Sequence, residues 1–150
     1  MRRPRLPVRV VADVKLTPFE TVAMAGEILR DYARVRWLLR RHDLPTVVAR
    51  LRATTCATGD QIAPGTRLAN HIGYRLGVFV WKTLRVLPTD SRCLMQSLVM
   101  TAVMSRRGLD GRLVIGVRPG DEFEAHAWVE HRGVALLPDD EYAHRRLLEV

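Results

Sequence analysis

The segment from Asp90 to Gly108 constrains the fold more than any other part of the chain. Asp90 or Ser91 can cap a helix here, and Gly108 is the usual residue after a helix end. Between Leu94 and Met104 the residues are apolar on nearly all sides of that helix. Such a helix has no polar face to turn to water, so it belongs in the middle of a domain. We therefore predict a fold built around one buried helix.

The hydrophobic period falls to two after this helix, which predicts an antiparallel meander of strands. The alternating apolar residues are Leu113, Ile115 and Val117 in the first strand and Phe123, Ala125, Ala127 and Val129 in the second. The other face of the second strand carries Glu124, His126, Trp128 and Glu130. His131-Arg132-Gly133 then turns the chain into a third strand, from Val134 to Leu137.

Three further helices are predicted before the buried one, preceded by an extended arm over residues 1–16. The first begins at Thr17-Pro18-Phe19-Glu20, where threonine and glutamate have the spacing of a capping box. Its apolar residues recur near helical spacing, and they are Phe19, Val22, Ala23, Ile28, Leu29, Tyr32, Val35, Leu38 and Leu39. The second helix is predicted from Pro45 to Leu51, and the third from Thr66 to about Arg85.

Together these elements predict an α+β fold, in which N-terminal helices and a buried helix carrying Cys93 pack on a small antiparallel sheet. The 150 residues fit a single domain. Its helical part is expected over residues 1–87, and the buried helix and the sheet over 88–150.

The composition indicates a globular protein of the cytoplasm. Hydrophobic residues make up 47% and charged residues 27% of the chain. No uncharged apolar stretch approaches the roughly 18 residues of a membrane span, and the basic N-terminal segment lacks the apolar region of a secretory signal. Two cysteines do not make a disulfide framework, which favours a reducing compartment.

The net charge of +8 comes almost wholly from arginine, because Lys15 and Lys82 are the only lysines. A basic chain is one signature of nucleic-acid binding. The arginines are spread from Arg2 to Arg146, however, without a long basic block or interleaved aromatic residues. The pattern therefore favours solvated helix faces and an acidic peptide or protein partner over nucleic acid.

Cys93 is the candidate nucleophile. It falls in the first turn of the buried helix, where unpaired N–H groups and the helix dipole favour a thiolate, and Arg92 beside it acts in the same direction. The same N–H groups can hold the negative oxygen of a tetrahedral intermediate. The alternative is a small buried hydrophobic residue, which is the usual role of a free cysteine. Cys56 lies in a threonine-rich connection and is expected to be structural or incidental.

His126 is the candidate base. It lies in the middle of a predicted strand, between Ala125 and Ala127 and before Trp128, whose indole can orient it and shield it from water. A satisfied core histidine is the alternative. His71 is expected to have a core or surface role, and the remaining histidines, among charged residues, are expected to be exposed: His42, His131 and His144.

A cysteine at a helix start and a histidine on the following sheet are the two partners of papain-like acyl transfer, which a carboxylate or amide completes by holding the imidazole tautomer. Asp139, just past the third strand, is the first candidate for this role, Asp140 the close alternative and Glu130 the distant one. A simple turn is the other interpretation of the two aspartates. No metal or cofactor site is predicted, because the chain lacks ligand pairs at zinc-site spacing and a glycine-rich phosphate loop.

A chain of motifs over about residues 88–140 resembles the lasso-peptide leader peptidases, transglutaminase-like maturation proteins related to the microcin-processing enzyme. The motifs are Cys93-Leu94-Met95-Gln96-Ser97-Leu98, Arg107-Gly108, Leu113-Val114-Ile115-Gly116-Val117, Phe123-Glu124-Ala125-His126-Ala127-Trp128-Val129-Glu130, and Gly133. The resemblance implies a cysteine protease with Cys93 as nucleophile and His126 as base. The acidic member usually follows the histidine by about a dozen residues; the twelfth here is Pro138, so the role passes to Asp139.

The resemblance also implies partners. The protease would remove the leader from a lasso precursor peptide, and an ATP-dependent cyclase would close the macrolactam on the freed core. Because the predicted helices begin at Thr17, the chain is expected to be the split form, which relies on a separate leader-recognition protein. Two rival functions stay open: transglutaminase-type transfer of the acyl group to an amine, and a non-catalytic basic module that binds peptide or nucleic acid.

Overall fold

The computed structural model describes residues 17–53, 66–87, 92–118, 124–136 and 145–149. Within these ranges the chain forms four helices: α1 (Pro18–Leu39), α2 (Leu44–Arg52), α3 (Thr66–Leu84) and α4 (Arg92–Arg106). The described strands are β1 (Arg112–Arg118), β2 (Glu124–His131), β3 (Val134–Ala135) and β4 (Arg145–Glu149). The predicted α+β fold is confirmed. None of the described helices is both long enough and apolar enough to cross a membrane.

Helix α1 begins where the capping box predicts. The Glu20 backbone N–H donates to Thr17 Oγ1 at 3.3 Å, and the Thr17 backbone N–H donates to Glu20 Oε2 at 2.8 Å. The predicted apolar set was wrong at its start, because Phe19 is 82% exposed whereas Ile28 is 1% exposed. Nine residues are about two and a half helical turns, so these two side chains point in opposite directions. The buried face of α1 comprises Met24, Ile28, Asp31, Tyr32, Val35 and Leu38.

Helix α4 is the centre of the domain, as its composition predicts. Met95 and every residue from Ser97 to Ser105 are buried, and α1, α2, α3 and β2 all pack against the helix. The helix ends in a Schellman motif: the Leu109 N–H donates to the Met104 carbonyl at 3.0 Å, and the Gly108 N–H to the Ser105 carbonyl at 3.1 Å. Gly108 takes the left-handed conformation (φ 71°) that this motif requires.

A partly buried group of ion pairs ties α4 to α1. The Arg106 guanidinium forms two hydrogen bonds with Asp31, one of them from NH1 to Oδ1 at 2.6 Å, and donates from Nε to Glu27 Oε1 at 2.9 Å. Arg107 also donates to Glu27, with NH2 3.1 Å from Oε2. Burial raises the pKa of Glu27, but its ion pairs with Arg107 and Arg106 outweigh this effect and hold that pKa below its usual value.

The described strands form one antiparallel sheet in the order β3-β2-β1-β4. Arg132 (φ 51°) and Gly133 (φ 79°) make the tight turn from β2 to β3 that the sequence predicts. The third strand is shorter than the predicted Val134–Leu137. It ends at Ala135, although the Leu136 N–H still donates to the Val129 carbonyl at 2.9 Å.

Strand β4 was not predicted, and its presence corrects the expected meander. It pairs with β1 on the side away from β2, so the chain returns to the opposite edge of the sheet. Its sequence, Arg-Arg-Leu-Leu-Glu, has no alternation of apolar and polar residues. An edge strand with exposed side chains needs no such pattern, which is why the period-two rule missed it.

Candidate active site

Cys93 is the second residue of α4, and its half-buried thiol shares a hydrogen bond with the imidazole of His126. That hydrogen bond is the largest influence on the thiol, and it lowers the pKa of Cys93. Burial raises this pKa. The Ala127 N–H, the charge of His126 and the Leu94 N–H all lower it again, so the pKa lies below its ordinary value. The sulfur is therefore held in surroundings that favour the thiolate.

The thiol meets β2 at the edge where β3 has ended. Residues two apart in a strand direct their backbone groups to the same edge. Among the described residues Val129 accepts the last hydrogen bond from the β3 side, so the Ala127 backbone faces that same edge. Helix α4 supplies the missing partners: Cys93 Sγ accepts from the Ala127 N–H, and Ser97 Oγ donates to the Ala127 carbonyl at 3.0 Å. Both ends of this contact come from one face of α4, since Cys93 and Ser97 are four residues apart.

The base comes from the other face of the sheet. Ala127 and Val129 belong to the hydrophobic core under α4, and strand alternation places His126, Trp128 and Glu130 on the opposite face. The imidazole of His126 stacks with the Trp128 indole, with ring centroids 6.0 Å apart and an interplanar angle of 16°. His126 and Cys93 are both only partly buried, so the pair is accessible to a substrate.

Glu130 continues the same row of side chains. The Trp128 Nε1–H donates to Glu130 Oε1 at 2.9 Å, and Arg146 NH2 on β4 donates to the same oxygen at 2.6 Å. Arg146 is opposite Gly116 on β1, and Gly116 is opposite His126 on β2. Because Gly116 has no side chain, it leaves room between the imidazole and the arginine on this face.

The structure describes some of the predicted site residues and not others. Cys93 and His126, which are 33 residues apart in the chain, are brought into contact as expected; their catalytic roles stay predictions. Asp139 and Asp140 lie outside the described residues, as do Cys56 and His144. Glu130, the distant candidate for the acidic member, binds Trp128 and Arg146 with its carboxylate.

The expectation of an exposed His131 was wrong. Only 4% of the residue is exposed, and its Nδ1 lies 2.6 Å from the Asp110 carbonyl oxygen. Its charged neighbours in the sequence suggested a solvated position, but Glu130 is buried as well and Arg132 occupies the turn. His131 therefore helps to hold the start of β1 against the end of β2.

Sequence reasoning missed two residues of the site. Ser97 has a signal in the sequence, because it is a polar residue that lies one helical turn after Cys93 in a mostly apolar helix. Arg146 has none, because its role depends on the unpredicted strand β4. Among the residues that the structure describes, no three His, Cys, Asp or Glu side chains are grouped closely enough to hold a metal ion.

Comparison with known proteins identifies the family. The profile of the transglutaminase-like superfamily matches residues 28–150, and that superfamily consists in general of cysteine-dependent enzymes with protease or acyltransferase activity. No curated protein and no solved structure matches the chain. Because the family match spans most of the sequence and includes both Cys93 and His126, the protein belongs to the transglutaminase-like superfamily.

Proposed function

We propose that this protein is a cysteine peptidase that removes the leader from a lasso precursor peptide. The observation that carries the proposal is the hydrogen bond between the Cys93 thiol and the His126 imidazole at an accessible edge of the sheet. A thiol with a lowered pKa beside a base is the arrangement that acyl transfer to sulfur requires. The motif resemblance over about residues 88–140 supports the choice of substrate.

In the proposed reaction the Cys93 thiolate attacks the carbonyl carbon of the scissile peptide bond. The backbone N–H groups at the start of α4 stabilise the negative oxygen of the tetrahedral intermediate. The C–N bond then breaks, and the His126 imidazolium gives its proton to the leaving amine. Water next attacks the thioester while His126 accepts one of its protons. The C–S bond breaks, and the thiolate is restored.

The third member of the site is proposed to be Asp139, with Asp140 as the alternative. Strand β3 runs antiparallel to β2 and heads from Glu130 towards His126, and this direction supports an acidic partner soon after the strand. A carboxylate on the second imidazole nitrogen would hold the tautomer that allows the first nitrogen to face the thiol. Separate Asp139→Asn and Asp140→Asn variants decide the assignment, because only the true partner should lower kcat severely.

The proposed partners follow from the resemblance and from charge. A separate leader-recognition protein would deliver the precursor, and an ATP-dependent cyclase would take the freed core peptide. The net charge of +8 suits an acidic leader or an acidic face on the delivering protein.

The test is incubation of the purified chain with candidate lasso precursor peptides, with and without a small leader-recognition protein, followed by mass spectrometry. We expect two fragments whose summed mass exceeds that of the precursor by one water. Cys93→Ala and His126→Ala should stay folded and lose cleavage, whereas Cys56→Ala should cleave normally. Normal cleavage by the Cys93→Ala variant would refute the proposal.

Transglutaminase-type transfer is the second candidate, and membership of the superfamily favours it. Here an amine replaces water as the acceptor, so the thioester is converted to a new amide. The same mass spectrometry separates the two reactions: added primary amine would be incorporated into the acyl fragment only if transfer occurs. A chain in which Cys93 reacts no faster than an ordinary thiol would instead be the non-catalytic binding module.

A further inference from the structure

We infer that Glu130 is a positioning residue for His126 and acts through the indole of Trp128. The inference rests on the proposed function in one respect, namely that His126 is the base. It assigns to Glu130 a role other than that of the acidic member bound directly to the imidazole.

The first step in the argument is the orientation of the indole. Trp128 is 2% exposed, and its Nε1–H donates to Glu130 Oε1 at 2.9 Å. An indole has a single N–H donor, so this bond fixes the direction of the ring in its plane. A buried indole without a partner for that N–H would lose free energy, which makes the bonded orientation the favoured one.

The second step is the contact between the two rings. The imidazole of His126 lies nearly parallel to the indole, at an interplanar angle of 16°. Because His126 is on the same strand two residues earlier, its ring has the indole as a wall on one side. A fixed wall restricts the imidazole to orientations that keep it near Cys93, which lies at the adjoining strand edge.

The third step is what holds Glu130 itself. Its carboxylate is buried, with 8% of the side chain exposed, and Arg146 NH2 lies 2.6 Å from the oxygen that also accepts from Trp128. A carboxylate is a stronger hydrogen-bond acceptor than a neutral group, and the Arg146 guanidinium holds this one in place. Arg146 comes from β4 at the far side of β1, so a second strand contributes to the orientation of the imidazole.

The test compares variants in a Cys56→Ala background, where Cys93 is the only thiol. The readout is the rate of iodoacetamide alkylation as a function of pH, which requires no substrate. Glu130→Ala and Trp128→Phe each remove the indole hydrogen bond, and each should slow alkylation near neutral pH by about threefold or more, because a displaced imidazole no longer supports the thiolate. Trp128→Phe leaves Glu130 and Arg146 intact, so it remains informative if Glu130→Ala fails to fold.

Two controls separate positioning from general stability. Glu130→Gln keeps an oxygen for the indole N–H but loses its charge towards Arg146, so it should lower stability and slow alkylation less than Glu130→Ala does. Asp110→Ala removes another carboxylate, one just before β1 whose Oδ1 lies 2.7 Å from Arg52 NH2, and should leave the profile unchanged.

A wild-type profile in folded Trp128→Phe would overturn the inference, as would equal effects of Glu130→Gln and Glu130→Ala. These outcomes are distinct from failure of the proposed function. If the wild-type chain cuts no precursor but its alkylation still depends on Trp128 and Glu130, the peptidase proposal fails and the positioning role stands.

Discussion

Replacement of Ser97 by alanine tests the contact by which α4 takes over the edge of β2. The Ser97 hydroxyl donates to the Ala127 carbonyl at 3.0 Å, and neither residue has more than 4% of its surface exposed. In the Ser97→Ala variant the carbonyl loses this donor in a place that water does not easily reach. The cost of a buried acceptor left without a partner is about 1–3 kcal/mol, so we expect the free energy of unfolding to fall by about 2 kcal/mol. For a chain of this size that corresponds to a fall in Tm of roughly 4–8 °C.

The same change should also reach the thiol. Ser97 holds one backbone group of Ala127 while Cys93 holds the other, so loss of the serine bond loosens the strand edge against which the sulfur rests. We expect the pKa of Cys93 to move up towards its ordinary value, because its hydrogen bonds from His126 and the Ala127 N–H both weaken. Alkylation near neutral pH should therefore slow along with the loss of stability.

The assay is urea unfolding followed by circular dichroism, together with the alkylation rate in the Cys56→Ala background. Ser105→Ala is the matched control, because it removes a buried hydroxyl from the same helix twelve residues beyond Cys93. It should leave the alkylation rate at the wild-type value, whatever its effect on stability. Equal behaviour of the two serine variants in both measurements would refute this account of the helix–strand contact.

Three further predictions concern stability. Asp31→Ala should lower the free energy of unfolding by about 3 kcal/mol in urea unfolding, because it leaves the half-buried Arg106 without its main partner. The pKa of Glu27 is lowered in the folded protein, so its carboxylate stabilises the fold above the unfolded pKa of about 4.3. This stabilisation is lost as pH falls through the folded pKa. In Glu27→Gln the free energy of unfolding should therefore fall less steeply with decreasing pH. In urea unfolding Gly73→Ala should cost about 1–2 kcal/mol, because its Cβ would lie 2.8 Å from the buried Leu136 Cδ1. Gly26→Ala, whose Cβ would have nothing within 4 Å, should stabilise the protein by about 0.5–1 kcal/mol in the same assay.

Local signals predicted the elements that local physics determines. The capping box at Thr17 and Glu20, the glycine after α4 and the period-two alternation in β1 and β2 each involve residues close in sequence. Strand β4 was not predicted, because its formation depends on pairing with β1 and its side chains are exposed. Because Arg146 lies on β4, its contact with Glu130 could not be predicted either.

The candidate site shows the same division. The position of Cys93 at a helix start and of His126 on a strand follows from sequence alone, and their contact follows once the buried helix is packed on the sheet. The end of β3 at Ala135 is not encoded by any pattern in Val134 to Leu137. Helix α4 binds the Ala127 backbone groups farther along β2, a tertiary contact that no local pattern indicates.

The position of the Cys93 sulfur at a strand edge affects how local opening of the folded protein can be detected. In most proteins local opening makes a sheltered thiol react faster, because exposure is the only quantity that changes. Here opening would expose Cys93 but would also separate it from the donors that keep it ionised. Below the titration range of a free thiol, transient separation of α4 from β2 should therefore protect the sulfur, so that alkylation rate becomes a reporter of how tightly helix and sheet stay together.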